Sequence, residues 1–251
     1  MKKALITILI IIFGIGIYMN FGMNQGAGEN ASIAGESAST ATDEPPSEEA
    51  SAEEAVEPAE EPTTDSSEPI SFSQETLNEI HETAVAENEP VIIDVVVPSY
   101  YTGDFINVLS QQFGTSHIEF NRIDLDSASP ELETLTVSEN SDAVIIDALQ
   151  ISDYNREVLP ERDAARLENA YMNLYDAGKV VYLLGNPDAH QHENLAQVLE
   201  EEAEYFPQND YYYIDNRGIE VEDEYYDYDS EMLTAPVEAR IAQNIHEYMT
   251  E

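Results

Sequence analysis

Val91-Ile92-Ile93-Asp94-Val95-Val96-Val97-Pro98-Ser99-Tyr100-Tyr101-Thr102-Gly103 is a β-branched run that ends on a proline and a polar turn. Only Asp94 interrupts the Val and Ile residues between 91 and 97, so there is no alternation to mark one wet face. A strand of that kind is covered on both sides, as in a parallel sheet between two helical layers. The rest of the chain should then supply more apolar strands separated by helices. Short apolar runs at 118–123, 143–148, 179–185 and 211–214 fit the strands. Segments of helical period at 103–113, 130–138, 162–177 and 193–206 fit the crossovers, with a further helix at 73–87. In the closing segment 236–248, Val237, Ile241, Ile245 and Tyr248 recur at helical spacing, and Pro236 suits a first-turn position. The expectation is an α/β fold, a three-layer α/β/α sandwich around a mainly parallel five-stranded sheet, flavodoxin-like in outline. In such sheets ligands bind beyond the carboxyl ends of the strands, so functional residues are sought just after residues 97, 123, 148 and 185.

The N-terminal part has a different character. Lys2 and Lys3 precede an apolar run from Ala4 to Met23. At about 1.5 Å per residue, a helix of that length reaches roughly 30 Å, enough to cross a bilayer. The two lysines place its start in the cytoplasm and the remainder of the chain outside. Residues 1–25 therefore read either as a retained single-pass anchor or as a cleavable signal peptide, and both export the C-terminal domain. Residues 26–70 are Glu, Ala, Ser, Thr and Pro with almost no large apolar side chain. Such a segment cannot bury enough surface to offset its ordering entropy and reads as an extended, disordered, acidic stalk. Residues 71–251 form the third part, the α/β domain.

Acidic residues outnumber Lys and Arg by 52 to 9, for a formal charge of −43. Outside the stalk and the two leading lysines the balance is still 39 to 7, so the excess belongs to the domain as well. A charge of this sign opposes nucleic acid and anionic lipid surfaces. It suits a saline setting, where the Debye length falls to about 3 Å at 1 M salt, or alternatively an acidic surface that gathers cations. Cysteine is absent, which removes disulfides, thiolate metal sites and lipid-modified cysteine. No phosphate-cradling glycine loop or zinc pattern occurs, and neither cofactor nor metal is expected. Asp223, Asp227 and Asp229 could offer oxygen ligands to calcium, but without the glycine turn of a calcium loop they read equally as a solvated loop.

The segment Val97-Pro98-Ser99-Tyr100-Tyr101-Thr102-Gly103, which leaves the first strand, resembles the first block of the SGNH/GDSL hydrolases. The likeness spans residues 91–249. Asp142-Ala143-Val144-Ile145-Ile146 resembles the family's third-strand segment, and Ser152-Asp153 falls where its Asn-Asp pair would be. Residues 180–187 resemble the next strand and its Asn-Pro exit, Tyr211-Tyr212-Tyr213-Ile214-Asp215 the last strand, and residues 233–248 the final loop and helix. The resemblance implies that Ser99 is a nucleophile, with Ser152, Asp153 and Asn186 around the oxyanion crevice. It also implies attack on an ester carbonyl through an acyl-enzyme.

Four positions depart from the family pattern. Pro98 replaces the acid before the serine, and Asp124-Leu125-Asp126-Ser127-Ala128 has no glycine for the oxyanion hole. Ser152 stands for the asparagine, and Ala235 stands where the base would be, in a stretch 229–236 without histidine. A serine with no imidazole to take its proton is a poor nucleophile at neutral pH. His190 or His192, in the loop after the fourth strand, could substitute, whereas His81, His117 and His246 fall away from that edge. Ser99 also has a plain reading as the turn or N-cap residue before the next helix. The expectation is thus a surface-displayed SGNH-like domain, ancestrally a serine esterase acting on envelope esters and impaired in that chemistry. Its alternative is a non-catalytic envelope module displayed on the acidic stalk, either binding a glycan or partner or serving as a spacer.

Overall fold

The computed structural model describes residues 70–114, 117–125, 128–222 and 224–250. The expected anchor and all of the stalk but its last residue lie outside them. No helix among the described residues is long and apolar enough to cross a membrane.

The chain runs α1 (Glu75–Glu87), β1 (Val91–Pro98), α2 (Phe105–Phe113), β2 (Ile118–Leu125), a 3₁₀ turn (Ser129–Thr134) and β3 (Ala143–Asp147). It continues with α3 (Gln150–Asn155), α4 (Pro160–Asp176), β4 (Val180–Leu184) and α5 (Glu193–Gln208). Last come β5 (Tyr213–Ile214), a β6 (Tyr226–Asp227) to β7 (Met232–Leu233) hairpin, and α6 (Ala235–Thr250). The first five strands form one parallel sheet in the order β2-β1-β3-β4-β5. β6 and β7 form a separate antiparallel pair.

The apolar run of β1 is buried along nearly its whole length, and its alternate residues feed two cores. Val91, Ile93, Val95 and Val97 join Leu77 of α1, Phe105, Leu109 and Phe113 of α2, and Val237, Ile241 and Ile245 of α6. Val96 faces the other way and packs with Val144 and Ile146 of β3, Val181 and Leu183 of β4, and Leu167 and Tyr171 of α4. This division of one strand between two cores makes the three layers. Asp94, the one acid in the run, is fully buried and accepts from Ser138 N at 2.6 Å and Ser138 Oγ at 3.0 Å.

Two expectations are corrected. Segment 130–138 forms a six-residue 3₁₀ turn rather than a crossover helix, because Ser138 is drawn out to cap Asp94. The last strand keeps only Tyr213 and Ile214, since Tyr211 and Tyr212 turn to pack on Tyr171 and Tyr182. The short α3 and the β6–β7 hairpin had no periodicity by which to be seen.

Gly185 leaves β4 directly beneath Tyr213. A Cβ there would overlap the Tyr213 hydroxyl and lie 2.6 Å from its Cζ. The ring cannot retreat, being stacked on Phe206 with centroids 5.5 Å apart while its hydroxyl accepts from Gln150 Nε2 at 3.0 Å. Gly185→Ala in the full chain is therefore expected to lose about 1–3 kcal/mol in urea unfolding, the usual range for overpacking. Combining it with Tyr213→Leu should cost less than the sum of the two single changes.

Candidate active site

The turn after β1 is built by Pro98, whose carbonyl accepts from Tyr101 N at 3.2 Å. It leaves Ser99 exposed while Tyr100 and Tyr101 point inward and are buried. Three elements hold this turn. From β2, Arg122 donates through Nη1 to Thr102 O at 2.6 Å and through Nη2 to Tyr101 O at 3.1 Å. From β7, Leu233 N donates to Tyr100 O at 2.8 Å. From α6, the buried Glu238 carboxylate accepts from Thr102 N, and from Thr102 Oγ1 at 2.6 Å. Ser99 does not cap α2, because that helix starts at Phe105 with Asp104 in the N-cap place. The Ser99 hydroxyl has no hydrogen bond with any described residue.

Beneath the turn lies the switch point between β1 and β3, where open α/β sheets bind their ligands. Here the side chains of the turn fill it. Asp147, fully buried at the end of β3, accepts from Tyr100 Oη at 2.7 Å, Tyr101 Oη at 2.9 Å, Asn186 Nδ2 at 2.7 Å and Leu149 N at 2.7 Å. Asn186 Oδ1 in turn accepts from Ile151 N at 3.0 Å, and Asn186 N donates to Gln150 Oε1 at 2.7 Å. Burial pushes the Asp147 carboxyl up to about 6, against the pull of the donors from Tyr100, Leu149, Tyr101 and Asn186. The proton inventory agrees. Tyr100 Oη has one proton but sits 2.7 Å from Asp147 Oδ1 and 2.9 Å from Asn186 Oδ1. Below about pH 6 a protonated Asp147 supplies the missing hydrogen, donating to Tyr100 while Tyr100 donates to Asn186; above it the carboxylate accepts from Tyr100.

Above this layer is a cleft of about 620 Å³ lined by Ser99, Tyr100, Ser152, Asn155, Arg156, His190, Tyr226, Tyr228, Ser230, Glu231 and Met232. Ser99 comes from the β1 turn, Ser152 from the first turn of α3, His190 from the loop after β4, and the tyrosines from the β6–β7 hairpin. His190 is packed edge-on to Tyr226 at 4.9 Å, and its Nδ1 is 3.3 Å from Tyr228 Oη. Its Nε2 is shielded from water and has no hydrogen-bond partner. Burial is the main force holding the imidazole below its ordinary pKa, which keeps it neutral at pH 7.

The structure thus brings Ser99, Ser152 and His190 together and sets the other expected site residues apart. Asn186 is fully buried and braces Asp147 instead of lining the cleft. Asp153 points below α3, where its Oδ1 accepts from Ser129 N at 3.1 Å. There it neighbours Asp163, and burial first, then this carboxyl contact and the Glu202 charge, push Asp163 strongly toward its protonated form. His192 is exposed at the start of α5 and does not line the cleft. His81 packs on Phe72 and His246 on Phe113, away from the cleft. Asp126, Ser127 and Asp223 lie outside the described residues, while Asp227 caps the hairpin turn by accepting from Asp229 N and Ser230 Oγ. Among the described residues no group of three or more His, Asp or Glu is arranged to hold a metal ion. Asp147, Tyr100 and the hairpin tyrosines were not singled out by sequence. An acid that ends a fully apolar strand is the signal that could have pointed to Asp147, since such a group is buried only with partners.

The sequence matches no protein-family model and no curated protein. Among solved structures, the chain is similar to a protein assigned to the lipolytic G-D-S-L family from Desulfitobacterium hafniense DCB-2. The TM-score is 0.50 and the identity 15%, over 62% of this chain and 99% of that one. It is also similar to TesA, at a TM-score of 0.48 and 16% identity over 62% and 97% of the two chains. A protein assigned as an acylhydrolase from Bacteroides fragilis NCTC 9343 is similar at 0.46 and 12% over 68% and 95%. The first of these likenesses shows that the domain has the SGNH/GDSL fold.

The raised carboxyl of Asp147 sets a pH dependence. A folded-state pKa above the unfolded value means that the folded chain holds the proton more tightly. The contribution is complete below about pH 4 and lost as pH rises through about 6, on the order of 3 kcal/mol in total. Urea unfolding of the full chain between pH 4 and 7 is expected to show stability falling with pH, with a shallower fall in Asp147→Asn. An equal slope in the two proteins would contradict the assignment.

Proposed function

We propose that this domain is a diverged SGNH-type serine ester hydrolase, displayed outside the cell on its acidic stalk and anchored by its first 25 residues. The observation that carries the reading is the position of Ser99. It is exposed on a braced turn at the carboxyl edge of the sheet, in one cleft with a second hydroxyl at Ser152 and a neutral imidazole at His190. In this reading Ser99 attacks the ester carbonyl and Ser152 donates to the developing oxyanion, a weaker donor than the family's asparagine. Among the described residues no base is hydrogen-bonded to Ser99, Ala235 stands at the family's histidine position, and turnover is accordingly slow.

The lining favours a short acyl group on a polar carrier. Hydroxyls, an amide, an arginine and tyrosine faces surround the cleft, and Met232 is its one aliphatic side chain. That composition suits an acetylated carbohydrate of the cell envelope better than a long-chain lipid, which needs an apolar channel. The absence of a base in contact with Ser99 favours a second reading, in which the cleft binds such a glycan without cleaving it.

A fluorophosphonate probe separates the two. The full chain is expected to be labelled slowly at Ser99, with labelling abolished in Ser99→Ala. No labelling between pH 6 and 9, in low or high salt, would leave the binding module.

A further inference from the structure

We propose that His190 has taken over the general-base role for Ser99 and that Asp188 positions it, a catalytic pair moved from the loop before α6 to the loop after β4. The inference rests on the hydrolase reading and deepens it.

The observations come from two elements that meet at one cleft. Both Ser99 and His190 line it. His190 Nε2 and Asp188 Oδ1, two residues apart in one loop, are each buried without a hydrogen-bond partner. Buried polar atoms are nearly always paired, so two orphans this close together, on the residue types of an acid–base pair, call for a role. Packing holds the imidazole, with Tyr226 edge-on at 4.9 Å and Tyr228 at 5.8 Å. The loop leaves β4 next to β3, at the same carboxyl edge as the β1 turn, which puts the ring and the serine in one cleft. The two are not hydrogen-bonded in the structure, and bases often close on their nucleophiles only in the substrate complex.

The charged and titratable groups around His190 are Asp188 and His192 on its own loop, Tyr154 of α3 and Arg156 beyond it, Glu222 and Glu224 before the hairpin, and Tyr226, Tyr228 and Glu231 on it. Burial lowers the His190 pKa, Asp188 opposes that effect, and His192 adds to it. The imidazole is therefore neutral and able to accept a proton at pH 7.

In the step this implies, Ser99 Oγ forms a bond to the acyl carbon while its proton passes to His190. The carbon–oxygen bond to the carrier alcohol then breaks, and the imidazolium returns the proton to that oxygen. Water next attacks the acyl-serine, giving a proton to His190, and Ser99 Oγ leaves as it recovers one. One ester and one water become one acid and one alcohol.

The test is the rate of fluorophosphonate labelling at Ser99 in the full chain as a function of pH, with the site confirmed by peptide mapping. The wild-type rate should fall on an acid limb below about pH 6.5, the ordinary imidazole value. His190→Ala and the bulkier His190→Gln should each lower the rate by about 10²-fold or more and remove that limb, the usual loss of a general base. Added imidazole should partly restore His190→Ala. Asp188→Asn should move the limb to lower pH, because the charge that supports the imidazolium is gone, whereas His192→Ala should move it the other way and keep the plateau rate within about twofold. Labelled Ser99 with a rate indifferent to both His190 variants would overturn this inference and leave the hydrolase reading standing. An unlabelled wild-type Ser99 would overturn both.

Discussion

A single buried carboxyl organises the carboxyl edge of the sheet. Asp147 ends β3 and takes hydrogen bonds from the turn after β1, the start of α3 and the exit of β4. A carboxylate placed there alone would be very costly, and one partner would not be enough to offset its desolvation. Four donors together with a raised proton affinity make the group tolerable. Its donors are drawn to one point, so the three chain exits that bound the cleft are held in fixed relation. Tyr100 and Tyr101 reach Asp147 only if the turn bends as it does, and that bend turns Ser99 outward.

Charge is distributed unevenly between the inside and outside of this acidic domain. On the surface the carboxylates stand mostly without cations, and the three ion pairs among the described residues each have one side chain well exposed. Two of the few basic side chains serve the backbone. Arg122 ties two carbonyls of the β1 turn, and Lys179 Nζ reaches the carbonyls of Ser138, Glu139 and Ser141. Inside, Asp147, Asp163 and Glu202 are buried, and burial raises all three. At Asp163 and Glu202 a proton, rather than a lysine or arginine, offsets the buried carboxylate.

The layered sheet was legible because β1, β3 and β4 are short, continuous apolar runs, and nothing else in a chain of this length reads that way. Helices α4, α5 and α6 were legible from their period. The six-residue α3 is too short to show one, and the β6–β7 hairpin hides in a stretch where tyrosines alternate with acids for the sake of the cleft. At the candidate site, Ser99, Ser152 and His190 were expected from their places after strands, and the structure gathers them around one cleft. Asp153 and Asn186 were placed at the right strand ends but on the wrong side of them. Residue type and position give the edge at which a polar group emerges; whether it faces water or braces a neighbour depends on packing that one sequence does not display.

The exposed hydroxyl at Ser99 has a consequence of another kind. It makes no hydrogen bond with any described residue, and the turn beneath it is held by Tyr100, Tyr101, Arg122 and Glu238. Losing Ser99 would cost the fold little, since surface side chains outside such networks rarely matter by more than about 0.5 kcal/mol. Selection for stability therefore acts on the foundation and is blind to the chemistry above it. The group at position 99 can change while the fold beneath it stays intact.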